Sequence, residues 1–277
     1  MTLDPETEFK SELQVFDNEV EEAIQSFYAE QAIHNVARKS RSVHEALNRN
    51  AAFWNLTSRA LQANALIVLG RIFDKDSRTH SIRRLLNLAT NHPQIFSKAA
   101  LEKRKRPQAG ERTDEFMRTV YVPTKEDFAR LQKYADKQRA IYNAEYKALR
   151  DKFFAHKQRM DMTGAFAAVS IPRLERLLTF LDRLHDGLWH LFWNGVKPVL
   201  RPARYSARSI LKLPERSRRK GPAQEWITAE TEKFVKYVSA CYEQDREQRR
   251  KSDPRFLGLT SAQFRGEKNP RSRTKTA

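Results

Sequence analysis

The sequence has few of the residues on which several common classes of functional site depend. Among its 277 residues there is one cysteine, Cys241, and there are only eight glycines. A single cysteine excludes a disulfide framework and a cysteine-based zinc site within one chain, and it fits a reducing compartment. A glycine-rich phosphate-binding loop, a His-Glu-x-x-His motif and a Gly-x-Ser-x-Gly motif are all absent from the sequence. Those enzyme classes therefore have no support here.

Long apolar runs are missing as well. No stretch approaches the roughly twenty consecutive apolar residues that a membrane-spanning helix needs. The N-terminal segment is acidic and has neither a basic start nor an apolar run, so it lacks the pattern of a signal peptide. We therefore predict a soluble, cytoplasmic protein with no membrane partner.

Apolar residues recur at helical spacing almost everywhere, and the sustained alternation that is typical of strands does not occur. The pattern predicts an all-α fold with four long helices and several shorter ones. The long helices are expected over about residues 5–40 and 51–73, from Thr124 through the stretch 147–157, and from Ser170 onward. Shorter helices are expected near residues 81–91, 97–105 and 228–251, with a polar loop over 106–111. Thr124, with Asp127 three places on, is a good helix N-cap.

The charge of the chain is strongly positive but unevenly distributed. Lysine and arginine total 52 against 34 aspartates and glutamates, a formal net charge of +18, which is typical of a protein that binds a polyphosphate. Residues 1–34 carry nine carboxylates against Lys10 alone, a net charge of −8, so the other residues together carry +26. The acidic first helix could cover a basic groove and exclude stray nucleic acid. It could also be a solvated face, or pack against basic neighbours simply for stability.

A second basic feature begins after Lys197, where prolines and cations dominate the sequence. Its cations, opposed only by Glu215, are Arg201, Arg204, Arg208, Lys212, Arg216, Arg218, Arg219 and Lys220. Such a run binds any nucleic acid by releasing counterions and specifies no base sequence. We interpret these residues as nucleic-acid contacts, and the bland alternative is a solvated charge run.

The stretch from Lys147 to Lys157 is the only compact run that suggests catalysis. Arg150 is followed by Asp151 and Lys152, and His156 lies six places after the arginine. This form resembles the Arg-x(4 to 6)-His signature of HEPN domains, in the subgroup linked to phage abortive infection. The upstream run Leu69-Gly70-Arg71-Ile72-Phe73-Asp74-Lys75-Asp76-Ser77, with Ser81-Ile82 and Leu85-Leu86, resembles the same subgroup.

The resemblance covers roughly the first two hundred residues. It predicts a HEPN-like helical bundle over residues 1–198, followed by a basic linker over 199–225. Residues 226–277 are expected to form a C-terminal helix and a disordered basic tail, for which we recognise no family. Many HEPN domains are ribonucleases that need no metal, so the resemblance implies RNA as the substrate and no metal or other cofactor.

The spacing of the motif constrains how it could work. Six residues of a straight helix place Arg150 and His156 about 120° apart and about 9 Å along the axis, so one helix cannot aim both side chains at one atom. Either the helix bends or ends inside the motif, or a second subunit supplies its own pair, as HEPN dimers imply. We favour a homodimer in which His156 moves protons and Arg150 binds the scissile phosphate. Asp151 could orient either of them, and Lys152 and Lys157 would add phosphate contacts.

Three alternatives remain open from sequence. The residues Leu131, Tyr134, Ile141, Tyr142, Leu149, Phe153 and His156 share a helical stripe, so His156 could simply cap an apolar face. A HEPN fold can also bind nucleic acid without cutting it. Finally, the chain could be a subunit of a defence complex that binds a cognate antitoxin or another partner through its acidic helix.

Overall fold

The computed structural model describes residues 4–76, 78–109, 113–151, 170–200 and 223–252. Within these ranges the chain forms α-helices, one 3₁₀ turn and connecting segments, with no strand, which confirms the all-α prediction. The helices are α1 (Pro5–Lys39), α2 (Arg41–Arg49), α3 (Ala51–Ile72), α4 (Ile82–Asn91), α5 (Lys98–Ala109), α6 (Thr113–Arg118), α7 (Lys125–Glu145), α8 (Lys147–Leu149), α9 (Ile171–Asn194) and α10 (Ala223–Ser252). The 3₁₀ turn is Pro93–Phe96. None of the described helices is long and apolar enough to cross a membrane.

Helix α1 is the central element of the bundle. It begins where the Asp4 carboxylate accepts a hydrogen bond from the Thr7 backbone, with Pro5 in the first turn, an arrangement that favours helix initiation. It ends at Lys39 and is followed by Ser40, which has an extended backbone. The Ser40 hydroxyl accepts a hydrogen bond from the Val43 backbone and so caps the start of α2. This second helix was not predicted, because only Val43 and Ala46 of its nine residues are buried, which is too short an apolar pattern to indicate a helix. Helix α1 packs against α2, α3, α4, α9 and α10.

Two hydrophobic clusters hold these helices together. The larger one combines buried side chains of α1, α3, α4, α7 and α9, among them Phe9, Leu69, Leu85, Phe128 and Leu181. The smaller cluster consists of Ile33, Val36, Val43 and Val235. Because Val235 belongs to α10 and is 1 % exposed, the C-terminal helix packs onto α1 and α2.

Several acidic residues of α1 are paired with basic residues that lie elsewhere in the bundle. Glu8 lies 2.8 Å from Arg84, and Glu12 lies 2.8 Å from Arg84 and 2.9 Å from His80. Glu19 lies 2.9 Å from Arg71. Of the interpretations open from sequence, packing against basic neighbours is therefore the one that the described contacts match.

We predict that Glu12→Gln destabilises the protein by about 1–3 kcal/mol, because it removes a buried carboxylate from two basic partners. The Glu12 side chain is 6 % exposed. Urea unfolding followed by circular dichroism measures the change. Glu21→Gln is a matched control on the same helix, since Glu21 has no ion pair within the described ranges. An equal loss of stability in both variants would contradict the role given to the Glu12 pairs.

The start of α7 matches its prediction, and the end of α5 does not. The Thr124 hydroxyl accepts from the Asp127 backbone, and the Asp127 carboxylate accepts from the Thr124 backbone at 2.9 Å, which is a complete capping box.

The polar loop predicted over 106–111 was wrong at its start, because α5 continues to Ala109. Pro107 lies in the last turn of α5, where its missing N–H removes only one backbone hydrogen bond.

Candidate active site at Arg150

The helix that carries the motif changes geometry just before Arg150. Helix α7 ends at Glu145, and the next residue, Tyr146, departs from helical geometry with φ −119° and ψ −24°. Helical backbone resumes in α8, and Arg150 has φ −56° and ψ −53°. Residues 150 and 151 lie in a wider π-helical turn, a feature that is often found at functional sites. The sequence predicted either a bend or a second subunit, and an irregular helix is present within the described part of the motif.

Tyrosines on two successive turns fix this irregular helix to the bundle. The Tyr142 side chain is 1 % exposed and its hydroxyl donates to the Leu66 carbonyl in α3 at 3.1 Å. The Tyr146 side chain is fully buried and its hydroxyl donates to the Ser170 carbonyl at 2.9 Å. The backbone that presents Arg150 is therefore anchored on both α3 and the start of α9.

The side chain of Arg150 lies directly on the backbone of α3 at Gly70. A Cβ atom built on Gly70 would lie 2.1 Å from Nη1 of Arg150 and 2.7 Å from its Cδ. No residue other than glycine leaves room for the guanidinium in this position. Glycine inside a helix costs roughly 0.5–1 kcal/mol relative to alanine, so the close approach explains its presence here.

Asp151 holds the guanidinium from the opposite side. Its Oδ1 accepts from Nε of Arg150 at 2.7 Å and lies 2.6 Å from Nη2. Lys147 is more distant from the same carboxylate, at 3.9 Å from Oδ2, as an ion pair between residues four apart on one helix face. Of the two partners considered for Asp151, the described contacts show the arginine.

The surroundings keep Arg150 charged. Burial by itself would lower the pKa of Arg150, but the hydrogen bond to Asp151 and the negative charges of Asp151 and Asp74 raise it above its usual value. Burial raises the pKa of Tyr142 to about 12, so its hydroxyl stays protonated at neutral pH. The Arg150 side chain is 27 % exposed. It is a fixed, partly accessible positive charge, which is suited to binding a phosphate oxygen.

The two sequence stretches that resemble HEPN domains meet at this site. Gly70 contacts Arg150, and the ring of Phe73 stacks on Tyr142 with centroids 5.5 Å apart. Asp74 contributes to the electrostatic field at Arg150. Sequence reasoning did not single out Gly70 or Tyr142 as site residues. A glycine inside an otherwise apolar helix was the available signal.

The helical stripe proposed for α7 divides into buried and exposed positions. Leu131, Tyr142 and Leu149 are buried in the larger core cluster. Tyr134 and Ile141 are 42 % and 37 % exposed. The single apolar face expected from spacing was therefore only partly correct, because two of its members reach the surface.

The remaining predicted site residues lie outside the described ranges. These are His156, Lys152 and Lys157 of the motif and all the cations predicted to contact nucleic acid between Arg201 and Lys220. Arg150 and Asp151 are thus the members of the predicted site whose geometry can be stated.

Comparison with protein families identifies a match that covers most of the chain. A family model of HEPN domains, described as AbiU2, matches residues 6–213. This range contains α1 from its second residue, α2 to α9, the contact between Gly70 and Arg150, and the whole stretch from Lys147 to Lys157, whereas α10 lies beyond it. No curated protein and no solved structure matches the chain.

Proposed function

The chain belongs to the AbiU2 family of HEPN domains, an abortive-infection-associated family, and on that premise we propose that it is a metal-independent endoribonuclease of a toxin or phage-defence system. The observation that carries the proposal is the contact of Arg150 with Gly70. The close approach fixes a permanently charged guanidinium, with Asp151 bound to one edge and part of the side chain open to solvent.

The proposed reaction is transesterification at an RNA phosphate. His156 takes the proton of a ribose 2′-hydroxyl, and the 2′-oxygen forms a bond to phosphorus while the bond from phosphorus to the 5′-oxygen breaks. The departing 5′-oxygen takes up a proton, so the products are a 2′,3′-cyclic phosphate and a 5′-hydroxyl. Arg150 stabilises the charge that builds up on the phosphate oxygens as phosphorus becomes five-coordinate.

A homodimer forms part of the proposal. Two subunits would bring their Arg150 and His156 pairs to one groove, as the resemblance to HEPN dimers implies. The exposed Ile141 on α7 offers apolar surface near the motif. Sedimentation at micromolar concentration should show a dimer, and full cleavage activity in a monomer would contradict this part of the proposal.

The proposal is tested with three labelled substrates of one base sequence in EDTA. The first is RNA, the second is RNA with a single 2′-deoxy nucleotide at the main cleavage position, and the third is all DNA. Cleavage of the RNA, protection of the substituted bond and no cleavage of DNA are the expected results. Cleavage of DNA or of the 2′-deoxy bond would exclude a 2′-hydroxyl nucleophile.

A second candidate function is RNA binding without cleavage. The observation that favours it is that Asp151 occupies the edge of Arg150 formed by Nε and Nη2. Arginine uses this edge for bidentate contacts to phosphate, and here the carboxylate already holds it. In that case the substrates above remain intact while binding stays salt-sensitive.

Both candidates predict a strong electrostatic contribution from the basic stretch over residues 201–220. Replacing Arg216, Arg218, Arg219 and Lys220 by glutamine should weaken RNA binding and flatten its dependence on salt, because fewer counterions are released. Fluorescence anisotropy between about 50 and 200 mM salt measures the slope. An unchanged slope would show that the stretch does not contact RNA.

A further inference from the structure

A groove separate from Arg150 runs between α7 and α9. We call it the α7–α9 groove, and its principal residues are Leu131, Tyr134, Arg176, Phe180, Arg183 and Lys197. Its volume is about 660 Å³, which lies within the range of small-ligand sites. It is centred on the first half of α7, and Gln138, at its end nearest the motif, precedes Arg150 by roughly 18 Å of helix.

A left-handed turn leads from α9 into a segment that lines the groove. Gly195 ends α9 with φ 57° and ψ 35°, and its N–H donates to Leu191 while that of Val196 donates to His190. Glycine is the usual residue at such a helix end. Residues 197–200, which follow the turn, line the groove together with Arg176 of α9.

The charge that lines the groove is positive and largely unopposed. Its carboxylate, Asp127, is bound by the Tyr121 hydroxyl, by Arg130 and by the Thr124 backbone. Burial by itself would raise the pKa of Asp127, but these hydrogen bonds lower it to about 2.

Three cations remain once Asp127 and Arg130 are paired. The side chain of Arg176 donates one hydrogen bond, from Nε to the Pro172 carbonyl. Its two terminal nitrogens are therefore available to bind an anion. The side chain of Arg183 forms no hydrogen bond or ion pair with another residue of the described ranges. Lys197 is exposed, and its Nζ lies 5.0 Å from the centroid of the Tyr121 ring. These three side chains can converge on an anion without first breaking an ion pair.

The floor of the groove is apolar and its rim carries an aromatic ring. Phe128, Leu131 and Phe180 are buried with at most 9 % exposure, whereas Tyr134 is 42 % exposed. The face of a nucleic-acid base stacks well on such a ring. Gln138, which is half-buried at the same site, offers an amide that can pair with the edge of a base.

We infer that the α7–α9 groove binds a nucleoside phosphate, with the base against Tyr134 and the apolar floor and the phosphate among Arg176, Arg183 and Lys197. The same chemistry occurs in a single RNA strand and in a free nucleotide. If the ligand is part of an RNA strand, the groove is a binding subsite for that RNA, remote from Arg150. This form of the inference rests on the proposed function.

The test uses the full-length chain and a fluorescein-labelled 2′-O-methyl RNA of eight uridines. This probe has no free 2′-hydroxyl for the proposed reaction, so its binding can be measured whether or not the protein is a nuclease. AMP and ATP are the competing mononucleotides.

We expect Arg176→Ala with Arg183→Ala to weaken binding about tenfold or more, since two charge-assisted contacts are lost. The matched control, Arg59→Ala with Arg83→Ala, removes equal charge from exposed positions on α3 and α4 and should change binding about twofold or less.

Two substitutions at one position separate stacking from hydrogen bonding. Tyr134→Ala should weaken binding about fivefold or more, whereas Tyr134→Phe should retain it because the ring remains.

Displacement of the probe by AMP or ATP would identify a free nucleotide as a ligand, and failure of both to compete would identify the strand. Equal losses in the groove and control double variants, or no loss in either, would overturn the inference. RNA that stays intact in the cleavage test while the groove variant loses binding would reject the nuclease and keep the groove.

Discussion

Gly70→Ala should lose about 100-fold in the rate of RNA cleavage while the protein stays folded. The added Cβ would overlap Nη1 of Arg150, and the flexible end of that side chain can swing away without moving the backbone of α3. Alanine favours a helix over glycine by roughly 0.5–1 kcal/mol, which offsets the remaining strain. A loss of this size is comparable with the effect of removing one hydrogen-bond donor that stabilises the negative charge of a transition state. Single-turnover cleavage and thermal unfolding measure the two effects.

The chain offers a second helical glycine as a control. Gly187 lies inside α9, and a Cβ there would be 3.2 Å from Cβ of Pro198, a tight contact that a small shift relieves. Gly187→Ala should therefore cut RNA at a rate close to wild type. Full activity in Gly70→Ala would show that the position of Arg150 on α3 is irrelevant to cleavage. A large loss of thermal stability in that variant would give Gly70 a structural role instead.

His156→Ala should lose about 100-fold or more in cleavage rate while RNA binding stays nearly unchanged. A histidine that moves protons contributes typically 10²- to 10⁴-fold to a rate. A neutral imidazole adds little to the attraction of a chain with a net charge of +18. Cleavage kinetics and fluorescence anisotropy, both at a pH above 7.5, separate the two quantities.

His44→Ala is the matched control, because His44 is an exposed histidine of α2 whose recorded contact is with Asn48. It should leave both cleavage and binding unchanged. Equal losses of cleavage and binding in His156→Ala would count against a catalytic histidine and in favour of a structural or binding role.

The long helices were predictable because each has an apolar pattern and a recognisable start. Thr124 with Asp127 placed the start of α7 correctly, and Pro172 after Ser170 did the same for α9. The end of α1 was expected at about residue 40 and lies at Lys39, but the short helix α2 that follows it was missed. Local sequence therefore accounts for the long helices, whereas the short helix α2 was not recognisable.

The contact at the centre of the site depends on tertiary packing. Arg150 and Asp151 were recognisable from the motif, but nothing local to residue 70 shows which side chain would cross its backbone. The anchoring bond from Tyr142 to Leu66 likewise joins residues 76 positions apart. Resemblance identified the two stretches separately, and the fold brings them into contact.

The most direct test of the account is the chemistry of the RNA ends that the wild-type protein produces in EDTA. We predict 2′,3′-cyclic phosphates on the 5′ fragments and free 5′-hydroxyls on the 3′ fragments, because the 2′-oxygen is the proposed nucleophile. Mass spectrometry of the fragments of a short RNA identifies both groups. Fragments that instead carry 3′-hydroxyl and 5′-phosphate ends would contradict transesterification and with it the roles proposed for Arg150 and His156.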